Sequence, residues 1–314
     1  MQHVVVAGID AGQRFLDLGL APSGQTFRFA NTDEDIARLV ARLLESRVAR
    51  VVLEAVGSYA ASLVAALVDA GLAVGIVNPR RIKAFRDAEG RRAKTDRLDA
   101  QLIARFALVM ADAVRPIPDR QAQSLRALST RRRQLTELIA MEKTRLKQAR
   151  EPSVLASHRT AIAALAEACR TIEAEIATRI ADCQERSRAR ELLTSIPGVG
   201  ERVAAILIAE LPELGHRDRK TIASLAGLAP HVTQSGNAPP RAAIAGGRPC
   251  VRAALYMSAL VAVRHDPAQK AVYAALRSQG KPAKVALVAV ARRILVTANA
   301  IIKTRSPYKP TSPA

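Results

Sequence analysis

Four carboxylates in the first hundred residues have the types and spacing for metal-assisted chemistry. Asp10 closes an apolar β-branched run, and Glu54 directly follows another, Val51-Val52-Leu53. Asp96 and Asp99 stand three apart at the start of a helical pattern, so their side chains share one face with Cβ atoms roughly 5–6 Å apart. If the two runs are neighbouring strands, all four acids reach one edge of a sheet. Converging carboxylates repel unless a cation lies between them, and hard oxygen donors of this kind suit Mg²⁺ or Mn²⁺. Two such ions about 3.5–4 Å apart clamp the attacking and leaving oxygens of a phosphodiester. Each acid also has a plainer reading. Asp96 suits a helix N-cap or first turn, Asp99 suits an arginine partner, and Asp10 suits a solvated loop.

The elements that would hold these acids follow from pattern. Residues 4–9, 15–20 and 26–29 read as three strands joined by turns at Gly12 and at Pro22-Ser23-Gly24. Asn31-Thr32-Asp33-Glu34 caps a helix with Ile36, Leu39, Val40, Leu43 and Leu44 on one face. Strands at 51–53 and 73–77 flank a helix over 59–70, and Thr95-Asp96 opens a helix carrying Leu98, Leu102, Ile103 and Phe106. Three meander strands followed by βαβ alternation is the order of a ribonuclease-H-like α/β fold.

Beyond Pro116 and Pro118 the chain becomes helical. Residues 121–150 contain neither Pro nor Gly, and Ile162, Leu165, Cys169, Ile172, Ile176 and Cys183 follow a 3,4 spacing broken at Arg179. An antiparallel coiled-coil hairpin and a packed helical bundle both fit that pattern. The last third opens on Ser195-Ile196-Pro197-Gly198-Val199-Gly200 between two helices, the pattern of a helix-hairpin-helix. In such a hairpin Gly198 and Gly200 would bring backbone N–H groups toward a phosphate. A loop-rich stretch follows, then helices over 251–263 and 283–302. The expected organisation is a catalytic α/β domain over 1–115, a helical linker over 116–190, a mainly α domain over 191–303 and a disordered tail over 304–314.

Charge divides along the same lines. The 314 residues carry 48 Lys plus Arg against 28 Asp plus Glu, a net charge of +20. Residues 1–118 hold 16 basic and 13 acidic side chains, residues 119–190 hold 15 and 9, and residues 191–314 hold 17 and 6. Such an excess calls for a polyanion, and its drift toward the C-terminus separates an acid-dependent chemistry from a phosphate-gripping surface. Arg241, Arg248 and Arg252 are candidates for that grip, because guanidinium forks bind phosphate oxygens in pairs. With no Trp, four Tyr and five Phe, base-stacking platforms are not expected. Three cysteines without a CxxC pair indicate neither a disulfide framework nor a zinc site. No uncharged run is long enough to span a membrane and the N-terminus lacks a signal-peptide pattern, so a cytoplasmic, nucleoid-associated protein is expected.

Several motifs together resemble the insertion-sequence-110 (IS110) family of transposases, the group that includes Piv-type DNA invertases. They are Gly8-Ile9-Asp10, Leu53-Glu54-Ala55-Val56-Gly57, Val77-Asn78-Pro79-Arg80 and Lys94-Thr95-Asp96-Arg97-Leu98-Asp99. The C-terminal third adds Ile196-Pro197-Gly198-Val199-Gly200, Leu225-Ala226-Gly227-Leu228-Ala229-Pro230, Gln234-Ser235-Gly236 and Gly246-Gly247-Arg248. The resemblance implies a RuvC-like domain with an Asp-Glu-Asp-Asp metal site at Asp10, Glu54, Asp96 and Asp99. It implies a C-terminal transposase domain whose nucleophile matches Ser235, a coiled coil between the two, and assembly as a homo-oligomer on DNA. A structured guide RNA encoded by the element is a further implied partner. Ser235 has no spacing-defined His-Asp partner, so the metal site is expected to meet it across a domain or subunit interface. Two other readings share parts of the pattern. A hydrolytic RuvC-type nuclease on branched DNA uses the four acids and leaves Ser235 idle. A non-enzymatic nucleic-acid-binding protein leaves the acids unexplained.

Overall fold

The computed structural model describes residues 4–54, 58–90, 95–117, 119–233 and 241–309. It divides into two compact units, Met1–Asp119 and Arg120–Ala314.

In the first unit, β1 (Val6–Ala11), β2 (Phe15–Ala21) and β3 (Thr26–Ala30) form the expected meander. Then come α1 (Asp33–Glu45), β4 (Arg50–Glu54), a 3₁₀ turn (Ser58–Ala60), α2 (Ala61–Asp69), β5 (Val74–Val77), α3 (Pro79–Ala88), α4 (Asp96–Val109) and the two-residue β6 (Arg115–Pro116). The sheet order is β3-β2-β1-β4-β5-β6, with β1, β4 and β5 parallel and the other pairings antiparallel. That is the α/β arrangement anticipated from the strand order, with α3 and β6 added.

Strand alternation splits the hydrophobic residues between two faces. One face packs Ile9, Leu16, Leu18 and Leu53 against Ile36, Leu39 and Leu43 of α1 and Leu63 and Leu67 of α2. Leu44, expected on that seam, is 50% exposed instead. The other face joins Val6, Val52 and Val77 to Leu102, Ile103 and Phe106 of α4, with Ile82 and Phe85 of α3. Thr32 caps α1 and Thr95 caps α4, each hydroxyl accepting from a backbone N–H in the first turn.

Two glycines set how closely α4 approaches. Gly8 and Gly19 are directly paired across β1 and β2. A Cβ on Gly8 would sit 2.5 Å from the Ala100 carbonyl oxygen, and one on Gly19 would sit 2.7 Å from the Gln101 nitrogen. The bare strands and the small Ala100 and Ala104 therefore let the helix lie directly on the sheet. Gly8→Ala is expected to push α4 outward and cost about 1–3 kcal/mol, read as a lowered denaturation midpoint with an unchanged slope.

In the second unit, α5 (Arg120–Gln148) and α6 (Pro152–Ala181) run antiparallel. Arg179 donates to Ser124 at 2.8 Å, Arg132 pairs with Glu173 at 2.7 Å, and His158 meets Glu142 at 2.7 Å. Partner positions thus rise on one helix as they fall on the other. Leu125, Ile176 and Ile180 root this hairpin against Ala209. Then follow α7 (Gln184–Thr194), α8 (Glu201–Glu210), α9 (Arg219–Leu225), β7 (Pro230–Thr233), β8 (Arg241–Ile244), α10 (Pro249–His265), α11 (Pro267–Ser278) and α12 (Ala283–Thr304). The core joins Leu193, Leu207, Ile222, Leu255, Val290, Ile294 and Leu295. By length and composition α12 is apolar enough to cross a membrane, yet Val290, Ala291, Leu295 and Ala298 are wholly buried in this core.

The sequence suggested disorder from residue 304, but the chain to Lys309 is ordered against this unit. Tyr308 packs on the core, its N–H donates to Ser195 Oγ at 2.9 Å and its hydroxyl to Asp266 at 3.2 Å. Burial and the Asp266 carboxylate both push the Tyr308 phenol up from its ordinary range.

Candidate functional site

Strand register aligns the acids in one row. Ile9 pairs with Leu53, which sets Asp10 level with Glu54 at the ends of the parallel strands β1 and β4. On the other side Asp10 lies directly opposite Asp17 of β2, and Asp17 lies opposite Arg28 of β3. Glu54 in turn pairs with Val77 of β5. Residues opposite one another on paired strands project to the same face. Arg28, Asp17, Asp10 and Glu54 therefore point to the side on which α4 lies. Asp96 and Asp99 occupy the first turn of α4, where the helix dipole favours negative charge.

Asp10 feels the cluster. Burial first, then the charges of Asp99, Glu54, Asp96 and Asp17, push its carboxyl from 3.8 up to about 6. Arginines hold three of these neighbours. Arg28 grips Asp17 with two bonds, at 2.9 and 2.8 Å, and reaches Asp96 at 3.1 Å. Asp17 is 2% exposed, and its grip raises the guanidinium pKa further. Arg86 of α3 meets one oxygen of Asp99 at 2.6 Å, with both side chains largely buried. Among the described residues, Asp10 alone of these three aspartates (Asp10, Asp96, Asp99) has no arginine or lysine in contact.

That contrast is the test of whether a cation belongs here. A half-buried carboxylate amid four others, with no side-chain cation of its own, fits a hard divalent ion in charge and donor type. Among the described residues no three Asp, Glu, His or Cys side chains stand close enough to ligate one ion in this arrangement. Arg28 and Arg86 each engage a single oxygen of Asp96 and Asp99, leaving the second oxygen of each for a ligand. In charge and donor type the residues fit.

Sequence reasoning missed Asp17, Arg28 and Arg86. Asp17 had a signal: a carboxylate in the middle of Phe-Leu-Asp-Leu-Gly-Leu must face something other than solvent. Arg86 lay on a helix that the pattern did not reveal.

The C-terminal candidates are arranged differently. Ser235 lies outside the described residues, between the ends of β7 and β8, which pair from Thr233–Arg241 to Pro230–Ile244. Arg241 begins β8. Arg248 caps α10 and forks onto Glu213 at 2.6 and 2.7 Å. Arg252 donates to the carbonyls of Gly246 at 2.8 Å and Gly227 at 3.5 Å. Arg252 thus ties together the loops that flank the β7–β8 hairpin, and Arg248 ties the second of them to the α8–α9 connection. Gly198, at φ +85°, is pressed on α10, where a Cβ would come 2.5 Å from the Ser258 carbonyl oxygen. Gly200 stands at the N-cap of α8 and is exposed.

Comparison with known proteins gives this arrangement a lineage. A model of the DEDD transposase of IS110 elements matches residues 7–151, and a model of the IS116/IS110/IS902 transposase family matches residues 190–274. The pilin gene-inverting proteins of Moraxella bovis and Moraxella lacunata are each 28% identical over 262 residues, 82% of this chain and 81% of theirs. A 43.6 kDa protein of insertion element IS110 from Streptomyces coelicolor is 31% identical over 172 residues, 51% of this chain and 39% of its own. Among solved structures, T. thermophilus RuvC in complex with a Holliday junction substrate aligns with 37% of this chain and 100% of its own, at 22% identity and a TM-score of 0.29. The first model covers the acid row and runs on through α5, and the second runs from within α7 through α10 to part of α11. The chain belongs to the IS110 family of transposases, recombinases that cut and rejoin DNA.

Proposed function

We propose that the first unit is a RuvC-like nuclease domain in which Asp10, Glu54, Asp96 and Asp99 hold Mg²⁺ or Mn²⁺ against a DNA phosphodiester, and that Ser235 is the nucleophile. The observation that carries the reading is Asp10: a carboxylate raised to about 6 by burial and then by its acid neighbours, at the level of Glu54 and beneath the first turn of α4. Bound there, a divalent ion supplies stabilisation for the charge that develops on a phosphate under attack.

The chain's own residues then have distinct tasks. Asp17 and Arg28 fix Asp96 from the sheet side, and Arg86 fixes Asp99 from α3. Partial burial beneath α4 lowers the local dielectric around Asp10. The Ser235 hydroxyl displaces a deoxyribose oxygen from the scissile phosphorus, leaving a serine–DNA phosphodiester, and the serine proton ends on the departing hydroxyl. A second DNA end reverses the step and frees the serine. Family membership supports a homo-oligomeric assembly on DNA and a structured RNA partner, and both belong to this proposal. In this reading Arg241, Arg248, Arg252, Gly198 and Gly200 shape and ground the phosphate-facing surface of the second unit.

The test is to incubate the protein with Mg²⁺, element-end DNA and element RNA, then denature. A covalent protein–DNA adduct is expected from wild type, and its loss from both Ser235→Ala and Asp10→Asn. Free nicked DNA persisting in Ser235→Ala would contradict the serine's role and favour a hydrolytic nuclease.

A further inference from the structure

Five carboxylates in one place would repel the phosphate backbone they are meant to cut, so the same edge of the sheet needs cations that are free to face it. Among the described residues, five arginines of the first unit are engaged by acids. Arg28 and Arg86 hold acids of the cluster, Arg38 and Arg42 pair on α1, and Arg105 pairs with Glu89. Of the exposed first-unit cations with no acidic partner among the described residues, all but Arg47, in the α1–β4 turn, lie near the acid row. Arg80, Arg81 and Lys83 lie in the first turns of α3, Arg14 in the β1–β2 turn and Arg97 in the first turn of α4. Each follows directly on an element that ends or begins at the acid row: Arg14 after Asp10, Arg97 between Asp96 and Asp99, and α3 after Val77, the register partner of Glu54.

α3 is built to present its cations rather than bury them. Asn78 caps it, accepting from the Arg80 N–H at 2.9 Å, and Pro79 begins its first turn. Its inner face is anchored by Ile82, which is 1% exposed, and by Phe85, set edge-on to Phe106 of α4 at 5.4 Å. Arg86 on that same inner side reaches Asp99. The helix is therefore held in register with the acid row while Arg80, Arg81 and Lys83 face outward.

From this placement we infer that Arg80, Arg81 and Lys83 on α3 form a phosphate-gripping surface for the DNA strand being cut, with Arg14 and Arg97 extending it along the same edge. This rests on reading the acid row as the cutting site. DNA is the partner because cations around phosphoryl-transfer carboxylates must engage the strand that those carboxylates act on. The first unit thus binds substrate itself and does not leave all contact to the more basic second unit.

The test measures binding alone, in EDTA, so that it does not depend on a metal or on cutting. The affinity of the full-length protein for a 30-base-pair mixed-sequence DNA duplex is followed against salt concentration. Each phosphate contact contributes about 0.9 to the slope of log affinity on log salt. Arg80→Ala/Arg81→Ala/Lys83→Ala is expected to make the slope shallower by roughly 2–3 with an unchanged melting temperature. Arg80→Lys/Arg81→Lys is expected to keep the wild-type slope. Arg38→Ala/Arg42→Ala, which removes two cations on the opposite side of the sheet, is expected to leave it unchanged. A wild-type slope in the folded triple variant would overturn the inference. So would a reduced slope on an RNA hairpin of equal length with none on the DNA duplex. If the acid-row reading alone fails, Asp10→Asn retains Mg²⁺-dependent cutting while the salt slopes stay as predicted.

Discussion

Asp10→Asn is expected to leave the protein folded, more stable in alkaline metal-free buffer, and unable to cut DNA. The Asp10 carboxyl is raised from 3.8 to about 6 in the folded protein, chiefly by burial and then by Asp99, Glu54, Asp96 and Asp17. A folded state that holds a proton more tightly than the unfolded chain is favoured at low pH. The contribution is complete below about pH 3.8 and is lost as pH rises through about 6. Above that, the ionised carboxylate costs the fold about 1–2 kcal/mol, a value discounted for its partial exposure. Metal-free wild type should therefore lose several degrees of melting temperature between pH 5 and pH 8, and Asp10→Asn should show a flatter profile. Activity should move the opposite way, with cutting falling at least about a thousandfold, the cost of several kcal/mol of lost transition-state charge stabilisation. A variant that is more stable and inactive is the signature of a site strained for function.

Arg86→Ala is expected to have the largest effect on stability. Arg86 and Asp99 meet at 2.6 Å with side chains 18% and 9% exposed, and they join α3 to α4. Removing the arginine leaves Asp99 buried and uncompensated within the field that already disfavours ionised Asp10. Breaking one side of such a pair costs about 3–5 kcal/mol. Denaturant unfolding should report that loss, and Arg86→Met/Asp99→Asn should recover most of it, because no unpaired charge then remains. Mg²⁺ should restore stability to Arg86→Ala more than to wild type, since a cation at the acid row replaces part of the missing charge.

Much of this was legible because the ends of elements carry the chemistry. An apolar run stopping at Asp10, another stopping at Glu54, and a helix opening on Thr95-Asp96 are local patterns. Local patterns place residues along a chain. They do not give register, and so the row Arg28–Asp17–Asp10–Glu54 could not be read: whether Asp17 faces Asp10 depends on one residue in the length of the β1–β2 turn. α3 escaped notice because Ile82 and Phe85 are its main apolar residues in a run dominated by Arg, Lys and Asp, and its helicity follows from packing on α4. β7 and β8 were hidden by their length of four residues each and by the glycines around them. Of the 3,4 stripe of α6, Ile176 is buried and the next buried position is Ile180, past Arg179, which reaches across to Ser124 of α5 and back to Glu175.

Divalent-ion binding to the protein without nucleic acid is the measurement closest to the central claim. Calorimetric titration of Mn²⁺ at pH 7.5 should show saturable binding to wild type, weakened about tenfold or more at pH 5, where protons compete for Asp10, and weakened similarly in Asp10→Asn. Identical isotherms for wild type and Asp10→Asn at pH 7.5 would contradict it, because the acid row would then not be where the ion is held.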